Sequence, residues 1–431
     1  MSSTPSDRDT ARRIASRTAA VPEPPACLDL SASRPARICA LLAAVCFGAV
    51  LPCLMVASNR SAPATFGAGA ALANLAVLLA GGAAALKQRY RAVATGPTAL
   101  ASWGVIALCV ASFAWTLDPG YTRRGLSEGL PVLGFALASA AAWPLVARRR
   151  DLGWLAAGLV AATLLILLER LGGMPLHHLL RTQAGFQNLK RSAVPLVPLV
   201  WPAAAFALAS RRVLLAAALF GAVVLGVVTA HAGAAFFGLA AGCVAWLAAR
   251  LSPKLAAGAT ALLVLGLLAT GPVAGTLGSW LVDEEARVVL REQDASERLV
   301  IWRAFEGRVH DRPILGHGFD TSYSVSKMPR PGGASPGPEE GSIRDIHPHN
   351  APLQIWVELG LVGALATAIV AGFVLWRMAR LPAQAAAPRF GLLLSVLGIT
   401  LVGFGAWQSW WIASVAAALL WFDLVARDLG S

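Results

Sequence analysis

The residues best suited to chemistry in this chain form the short run His347-Pro348-His349-Asn350. An imidazole with a pKa near neutrality can take a proton from a hydroxyl at physiological pH, so His349 is a candidate general base. Pro348 and Pro352 restrict the backbone on both sides of the histidine and hold it where a polar segment meets an apolar one. The run therefore predicts acid–base chemistry at a membrane surface, with His347 and Asn350 as neighbouring substrate contacts.

Metal binding is the alternative use of two closely spaced histidines. His347 and His349, together with a carboxylate, could ligate zinc, but no third ligand stands at a recognisable spacing from them. The cysteines fall in the N-terminal tail or in apolar segments, outside the polar segment that carries the histidines. The sequence thus favours chemistry without a metal ion, and we expect no cofactor.

Arginines gather in the same polar segment and in other short polar connections. Arg298 stands in the first turn of a predicted helix, near the positive end of its dipole. Guanidinium groups bind phosphates through paired hydrogen bonds, so these residues are candidates for an anionic substrate. The alternatives are pairing with nearby acids and, for Arg191, contact with lipid headgroups. The candidates besides Arg298 are Arg123, Arg124, Lys190, Arg191, Arg287 and Arg291.

The elements that must position these residues are membrane-spanning helices. With 57% apolar and 14% charged residues in 431, the chain is too apolar for a soluble domain of this length. Its apolar runs lack the two-residue alternation of a transmembrane barrel, so we predict an all-α polytopic protein. About twelve spans are expected, beginning near Ile38, Phe66, Thr98, Leu126, Leu152, Ala193, Val213, Gly233, Leu255, Leu353, Phe390 and Ser409, with a turn at Trp407–Trp411 before the last.

The distribution of positive charge predicts the orientation. If the N-terminus is cytoplasmic, five short basic connections lie inside, as the positive-inside rule requires. They carry Lys87, Arg89 and Arg91, then Arg148–Arg150, then Arg211 and Arg212, then Arg250 and Lys254, and finally Arg377, Arg380 and Arg389. We therefore expect residues 1–37 to be a disordered cytoplasmic tail, 38–279 to form spans 1–9, 280–352 to be a large periplasmic loop, and 353–431 to form spans 10–12 with a short cytoplasmic C-terminus. The Pro- and Gly-rich stretch 327–341 predicts a mobile flap within the loop. Within the net charge of +13, topology and anionic lipid explain the cytoplasmic basic residues, whereas those in short outer connections suggest that an anion binds there. We expect no nucleic-acid partner.

Four groups of residues together resemble the O-antigen ligase and polymerase superfamily, and more narrowly the O-antigen ligases of Gram-negative bacteria. They lie between Ser296 and Gly363, while the pattern of spans extends the similarity over nearly the whole chain. The groups are Arg298 with Trp302 and Ala304, then Pro313-Ile314-Leu315-Gly316-His317-Gly318, then His349-Asn350 with Leu353, and finally Glu358-Leu359-Gly360-Leu361-Val362-Gly363.

The resemblance implies an inner-membrane glycosyltransferase, independent of metal and similar in architecture to the lipid-linked C-type enzymes. Such proteins move a glycan from undecaprenyl pyrophosphate to a hydroxyl group, which for the ligase belongs to lipid A-core oligosaccharide. His349 matches the family's essential histidine and Arg298 its loop arginine. Many members have a Ser-Arg pair before the eighth span, where this chain has Ala230-His231, so Arg191 is the candidate for the second arginine.

The chemistry of such a transfer agrees with the residue types. A glycosyl pyrophosphate needs cations on its phosphates and a base on the incoming hydroxyl, which Arg191, Arg298 and His349 would supply. Two alternatives remain open: a polymerase with a growing glycan as acceptor, and a transporter of polyprenyl-linked glycans. The span interiors carry few charged residues, which disfavours the transporter. Besides substrates and membrane lipids we expect no partner, and the protein is expected to be a monomer.

Overall fold

The protein is a bundle of α-helices. A computed structural model describes residues 27–181, 185–281, 295–328 and 347–429, and this part of the chain contains helices and turns but no β-strand. Nine of its helices are long and apolar enough to cross a membrane, or ten when a pair bent by 67° is counted as one span. The predicted all-α polytopic membrane fold is confirmed.

The helices follow the predicted spans in chain order. We number them by those predictions. Spans 3, 7 and 12 are the bent pair and two shorter apolar helices, and the other nine are the long helices. Their bounds are Arg34–Ala57, Asn59–Leu79, Ala83–Thr95 with Ala99–Ala114, Pro119–Val146, Arg149–Leu171, Asn188–Ala209, Val213–Thr229, Gly233–Leu251, Pro253–Gly278, Ala351–Met378, Ala383–Val402 and Ser409–Val425.

The predicted end of the N-terminal tail, at residue 37, is too late in the chain. Span 1 begins at Arg34, and Ser33 caps it by accepting the Ala36 N–H. The preceding residues are already packed, because the Leu28 N–H donates to the Leu145 carbonyl at 2.9 Å and the side chain of Leu30 is buried. Residues 1–26 lie outside the described part of the chain.

The predicted periplasmic loop contains a helix at Ala295–Asp311, which we call the loop helix. Its apolar face, formed by Ile301, Phe305 and Val309, packs against Leu353 and Val357 of span 10. The loop is therefore anchored to the bundle where it is described. Most of the predicted flap, and both Arg287 and Arg291, lie outside the described residues.

Span 10 is interrupted at Gly360, whose φ of 61° and ψ of −157° are not helical. The segment from Pro313 to Gly318 fills the break, so two of the sequence groups named above are neighbours in space. A Cβ atom at Gly360 would overlap the backbone of Ile314, which makes glycine necessary there. The backbone hydrogen bonds that join the two segments are His317 N–H to Val357 O (2.9 Å), Gly318 N–H to Glu358 O (2.8 Å) and Leu361 N–H to Pro313 O (2.8 Å).

The side chain of Glu358 stabilises the contact between span 10 and the segment from Pro313 to Gly318. Its buried carboxylate accepts hydrogen bonds from the Asp320 N–H at 2.8 Å and from the indole of Trp407 at 2.7 Å. Ser322 and Gln354 donate to its other oxygen. A buried carboxylate is stable only when its oxygens are satisfied in this way, so the four donors fix the loop, span 10 and the 403–408 turn together.

A turn does precede span 12, but it lies at residues 403–408 and the predicted turn residues Ser409, Trp410 and Trp411 are helical. Span 11 ends at Val402 and the last helix begins at Ser409, with non-helical residues between them. This turn matters for the site because its backbone carbonyl at Gly403 faces His349.

Candidate functional site

Two hydrogen bonds hold His349 in one orientation, one made by its own backbone N–H and one made by its ring to the Gly403 carbonyl. Its φ of 51° lies in the left-handed region, and its N–H donates to Nδ1 of His347 at 3.3 Å. The ring Nδ1 hydrogen bonds with the carbonyl oxygen of Gly403. Because a carbonyl only accepts, Nδ1 carries the proton, and in the neutral ring Nε2 holds the lone pair. The imidazole therefore has the tautomer that a general base needs.

The ring of His347 packs against the ring of His349 and accepts the hydrogen bond of its backbone N–H. Its side chain is 9% exposed, and the two ring centroids lie 4.2 Å apart. Burial, with smaller contributions from His349 and Arg191, lowers the pKa of His347 to about 3, so this ring is neutral at physiological pH. Its other ring nitrogen, Nε2, lies 3.3 Å from the amide nitrogen of Gln408. The substrate contact predicted at His347 stays a prediction, and what the structure gives for this ring is its packing against His349.

Asn350 also has a structural position rather than the expected substrate contact. Its side chain is buried, and its oxygen accepts the Leu353 N–H at 3.0 Å. That bond satisfies one of the free amide groups at the start of span 10. The capping side chain fixes the point where the histidine segment enters the helix.

Arg298 reaches the histidine segment through its own helix. It lies in the first turn of the loop helix and is half-buried. Trp302, one turn later on the same face, donates its indole N–H to the carbonyl oxygen of Pro348 at 3.0 Å. Side chains four residues apart on a helix are about 5–6 Å apart at Cβ, so Arg298 is near the segment that carries His349.

Arg191 lies on the other side of His347. It is exposed near the end of the helix Phe186–Ala193, close enough to His347 to lower the pKa of that ring. It lines a cavity of about 340 Å³, the wall of which also contains Arg60 from the first turn of span 2. Lys190 is half-buried beside Arg191. The structure thus brings Arg191 and the histidines to one end of the bundle.

The cavity beside Arg191 is polar and basic. Its lining contains no acidic residue among those the structure describes, and neither guanidinium makes a hydrogen bond or ion pair with a described residue. His177, which lines one wall, is buried and pairs through Nδ1 with the buried carboxylate of Glu169. We name this cavity the Arg60–Arg191 pocket. Its remaining lining residues are Met55, Val56, Ala57, Ser58, Asn59, Asn188 and Ser192.

Sequence reasoning missed Arg60, His177 and Glu169. Arg60 satisfied the same criterion as Arg123, a basic residue in a short outer connection. Glu169 and His177 gave no comparable signal, because the turn that folds His177 back onto span 5 requires Met174 in a left-handed conformation, with φ of 69°. The sequence alone does not indicate that turn.

Of the remaining candidates, Arg123 and Arg124 are described, whereas Arg287 and Arg291 lie outside the described residues. Arg124 pairs with Glu128 at 2.9 Å on an exposed helix face, which is the alternative that the sequence left open. It and Arg123 belong to the helix whose residue Thr122 contacts the 317–324 segment, through a 2.7 Å hydrogen bond to the Phe319 carbonyl.

Two other histidines, His317 and His231, differ in burial. His317 is buried in the break of span 10 and hydrogen bonds through Nε2 to the Arg308 carbonyl at 2.9 Å. His231, at the position of the family's second arginine, is exposed in the turn before span 8. No group of three or more His, Cys, Asp or Glu residues that could hold a metal ion occurs within the four described ranges.

Comparisons with known proteins show which families and relatives the chain is similar to. Residues 215–368, which include Arg298, His349 and Gly360, match the family described as O-Antigen ligase. A "putative polysaccharide ligase" of Rickettsia typhi is 25% identical over 272 residues, covering 63% of this chain and 66% of its own length. One from Rickettsia prowazekii has the same identity and coverage over 275 residues.

A further relative of that name, from Rickettsia felis, is 26% identical over 150 residues. That match covers 34% of this chain and 36% of the relative, so the chain aligns with between about a third and two thirds of these proteins. Over the matched residues, the chain is thus similar to the O-antigen ligase family and to proteins named as polysaccharide ligases.

Proposed function

We propose that the protein is an inverting glycosyltransferase that needs no metal ion. It transfers a glycan from undecaprenyl pyrophosphate to a hydroxyl group of lipid A-core oligosaccharide during lipopolysaccharide biosynthesis. The observation that carries the proposal is the fixed tautomer of His349, whose Nδ1 is bonded to the Gly403 carbonyl. A ring held in this way can accept a proton on Nε2 without reorienting.

In this proposal, the diphosphate of the donor binds between two basic regions, the Arg60–Arg191 pocket and the part of the loop helix that carries Arg298. Arg191 and Arg60 would bind it from the Arg60–Arg191 pocket, and Arg298 would bind it from the loop helix. Arginine suits this task because its planar group donates paired hydrogen bonds to phosphate oxygens and stays charged. The same charges stabilise the diphosphate as it leaves.

The reaction follows from these positions. The acceptor oxygen attacks the anomeric carbon on the face opposite the diphosphate and gives its proton to Nε2 of His349. The bond between that carbon and the diphosphate oxygen breaks, and the leaving group keeps the bonding electrons beside the arginines. Attack from the opposite face inverts the anomeric configuration.

The proposal includes a location. The helices that carry Arg60, Arg191 and His349 meet at the end of the bundle that the positive-inside rule assigns to the periplasm. The N- and C-termini would then be cytoplasmic and the membrane the bacterial inner membrane. A periplasmic site suits a donor and an acceptor that are both lipid-linked glycans.

The test is transfer between synthetic donor and acceptor lipids by the purified protein. His349→Ala should lose about 10²- to 10⁴-fold in rate, the usual contribution of a general base. Arg298→Ala should also lose transfer, and both variants should fold normally by circular dichroism and size-exclusion chromatography. Near-normal transfer by His349→Ala would overturn the assignment.

Two controls separate the alternatives. Transfer that persists in a chelator removes a zinc mechanism, whereas loss that zinc restores would contradict ours. Supplying a lipid-linked glycan in place of lipid A-core as acceptor distinguishes a polymerase, since only a polymerase would elongate it. Binding of donor with no product in either assay would instead indicate transport.

A further inference from the structure

A second basic cavity lies at the opposite end of the bundle. Span 1 runs from Arg34 to Ala57, and Ala57 lines the Arg60–Arg191 pocket, so Arg34 marks the far end. There a cavity of about 900 Å³ opens between spans 1 and 5, and we call it the Arg34 pocket. It is lined by Asp29, Leu30, Ser31, Arg34, Arg37, Ile38, Ala40, Leu41, Val146, Arg148, Arg150, Asp151, Gly153, Trp154 and Ala157.

The charges of the Arg34 pocket are unbalanced. Four arginines line it against two aspartates. The aspartates are occupied locally, because Asp29 accepts from the N–H and hydroxyl of Ser31 and Asp151 accepts the Arg148 N–H at 2.7 Å. The exposed guanidinium groups of Arg34 and Arg37 make no ion pair with a described residue. The pocket therefore has an excess of two positive charges.

One wall of the same cavity is apolar and faces outward. Ile38 is 47% exposed, Leu41 45% and Trp154 39%, all on the parts of spans 1 and 5 that follow the arginines. Tryptophan is typical of the boundary between lipid and water. A basic rim above an apolar wall matches a molecule with an anionic head and hydrocarbon chains.

We infer that the Arg34 pocket binds an anionic glycerophospholipid with two phosphate groups, of the diphosphatidylglycerol type. Basic pockets between helices at the cytoplasmic surface are suited to such headgroups. Spans 1 and 5 both begin at the pocket, so their dipoles add to its positive potential. A soluble polyanion would leave the wall of Ile38, Leu41 and Trp154 uncovered, whereas acyl chains cover it. The inference does not depend on the proposed reaction.

The experiment measures lipid retained by the full-length protein. Protein in detergent is supplied with diphosphatidylglycerol, phosphatidylglycerol or phosphatidylcholine, and bound lipid is counted by native mass spectrometry. Wild type should retain one diphosphatidylglycerol in preference to the other two lipids. The double variant Arg34→Gln/Arg37→Gln should bind it roughly 30-fold more weakly, as expected for two arginines at a membrane surface.

A matched control uses the Arg211-Arg212 pair, which is exposed in a connection predicted on the same face but does not line the pocket. Arg211→Gln/Arg212→Gln should retain the lipid like wild type, and all three proteins should melt at similar temperatures without added lipid. Equal retention by both double variants, or equal loss, would overturn the inference. Equal binding of phosphatidylglycerol would reduce the site to a single-phosphate one and contradict the choice of lipid.

Fluorescence offers an independent check. Diphosphatidylglycerol with brominated acyl chains should quench Trp154, and Trp154→Phe should remove that part of the quenching while the lipid still binds. Unchanged quenching in Trp154→Phe would show that the chains do not lie on this wall.

Discussion

The indole N–H of Trp302 donates a hydrogen bond to the carbonyl oxygen of Pro348 across 3.0 Å. These residues are far apart in the chain, and the bond joins the loop helix to the segment that carries His349. Since Trp302 stands one turn after Arg298, it sets the distance between the two residues that we place on opposite sides of the reacting carbon.

Removing this bond should therefore affect catalysis more than folding. Trp302→Phe keeps an aromatic ring but lacks the N–H, so we expect a loss of about 0.5–1.5 kcal/mol in unfolding free energy and a larger loss in transfer rate. The measurement is kcat and thermal stability of the same preparation. Trp280→Phe, which changes an exposed tryptophan, is the control. A variant that is destabilised but fully active would contradict the positioning role.

Much of this arrangement could be predicted from the sequence. Long apolar runs specify spans because backbone groups inside a membrane must be satisfied within each helix. The resemblance named Arg298 and His349 as candidates, and the predicted helix with Arg298 in its first turn is present as the loop helix. Such features depend on local composition or on a motif, and both can be recognised in a single sequence.

Other parts depend on contacts between distant segments. His317 lies between two glycines in the sequence, and nothing local indicates that this segment fills the break in span 10 at Gly360. Asn350 looked like part of the site because it adjoins His349, but its amide is used as a helix cap. Periodicity and spacing do not indicate which remote segment fills a helix break or which group a polar side chain forms a hydrogen bond with.

The buried state of His347 predicts a pH-dependent stability. Its pKa is about 3 in the folded protein and about 6.5 when unfolded, so the unfolded state binds the proton more readily. The stabilising contribution is complete above pH 6.5 and is lost progressively as the pH falls toward 3. Wild type should therefore melt at a lower temperature at pH 5 than at pH 7.5.

His347→Asn should show a weaker decline over that range, because its side chain does not titrate while its oxygen can still accept the His349 N–H. The control is His178→Asn, which removes an exposed histidine and should keep the wild-type profile. Identical profiles for His347→Asn and wild type would show that His347 is not the group responsible.

The Arg60–Arg191 pocket predicts a defect in donor binding. Arg191→Ala and Arg60→Ala should each raise the KM for the lipid diphosphate, and the donor analogue should bind more weakly in direct titrations. Charge-assisted bonds contribute about 1.5–3 kcal/mol, which corresponds to a change of at least tenfold. Arg124→Ala is the control, since Arg124 is already paired with Glu128. Unchanged donor affinity in Arg191→Ala would indicate that Arg191 contacts lipid headgroups instead.

The break in span 10 predicts that Gly360 tolerates no side chain. At Gly360, with φ of 61° and ψ of −157°, an alanine would adopt a strained backbone and its Cβ would overlap Ile314. We expect Gly360→Ala to cost at least about 1–3 kcal/mol and to release the segment from Pro313 to Gly318. The loss should appear as a lower melting temperature and as faster hydrogen exchange at the amides of His317 and Gly318.

Gly372 provides the matched control in the same helix, because nothing lies within 4 Å of a Cβ atom built there. Gly372→Ala should be neutral, or stabilising by up to about 1 kcal/mol, since alanine favours the helix. If both substitutions had the same effect, the break would be an ordinary flexible point of the helix. The hydrogen-bonded backbone at this break also holds Glu358, and Glu358 holds the 403–408 turn through Trp407. A selective loss at Gly360 would therefore establish that the break keeps the Gly403 carbonyl against His349.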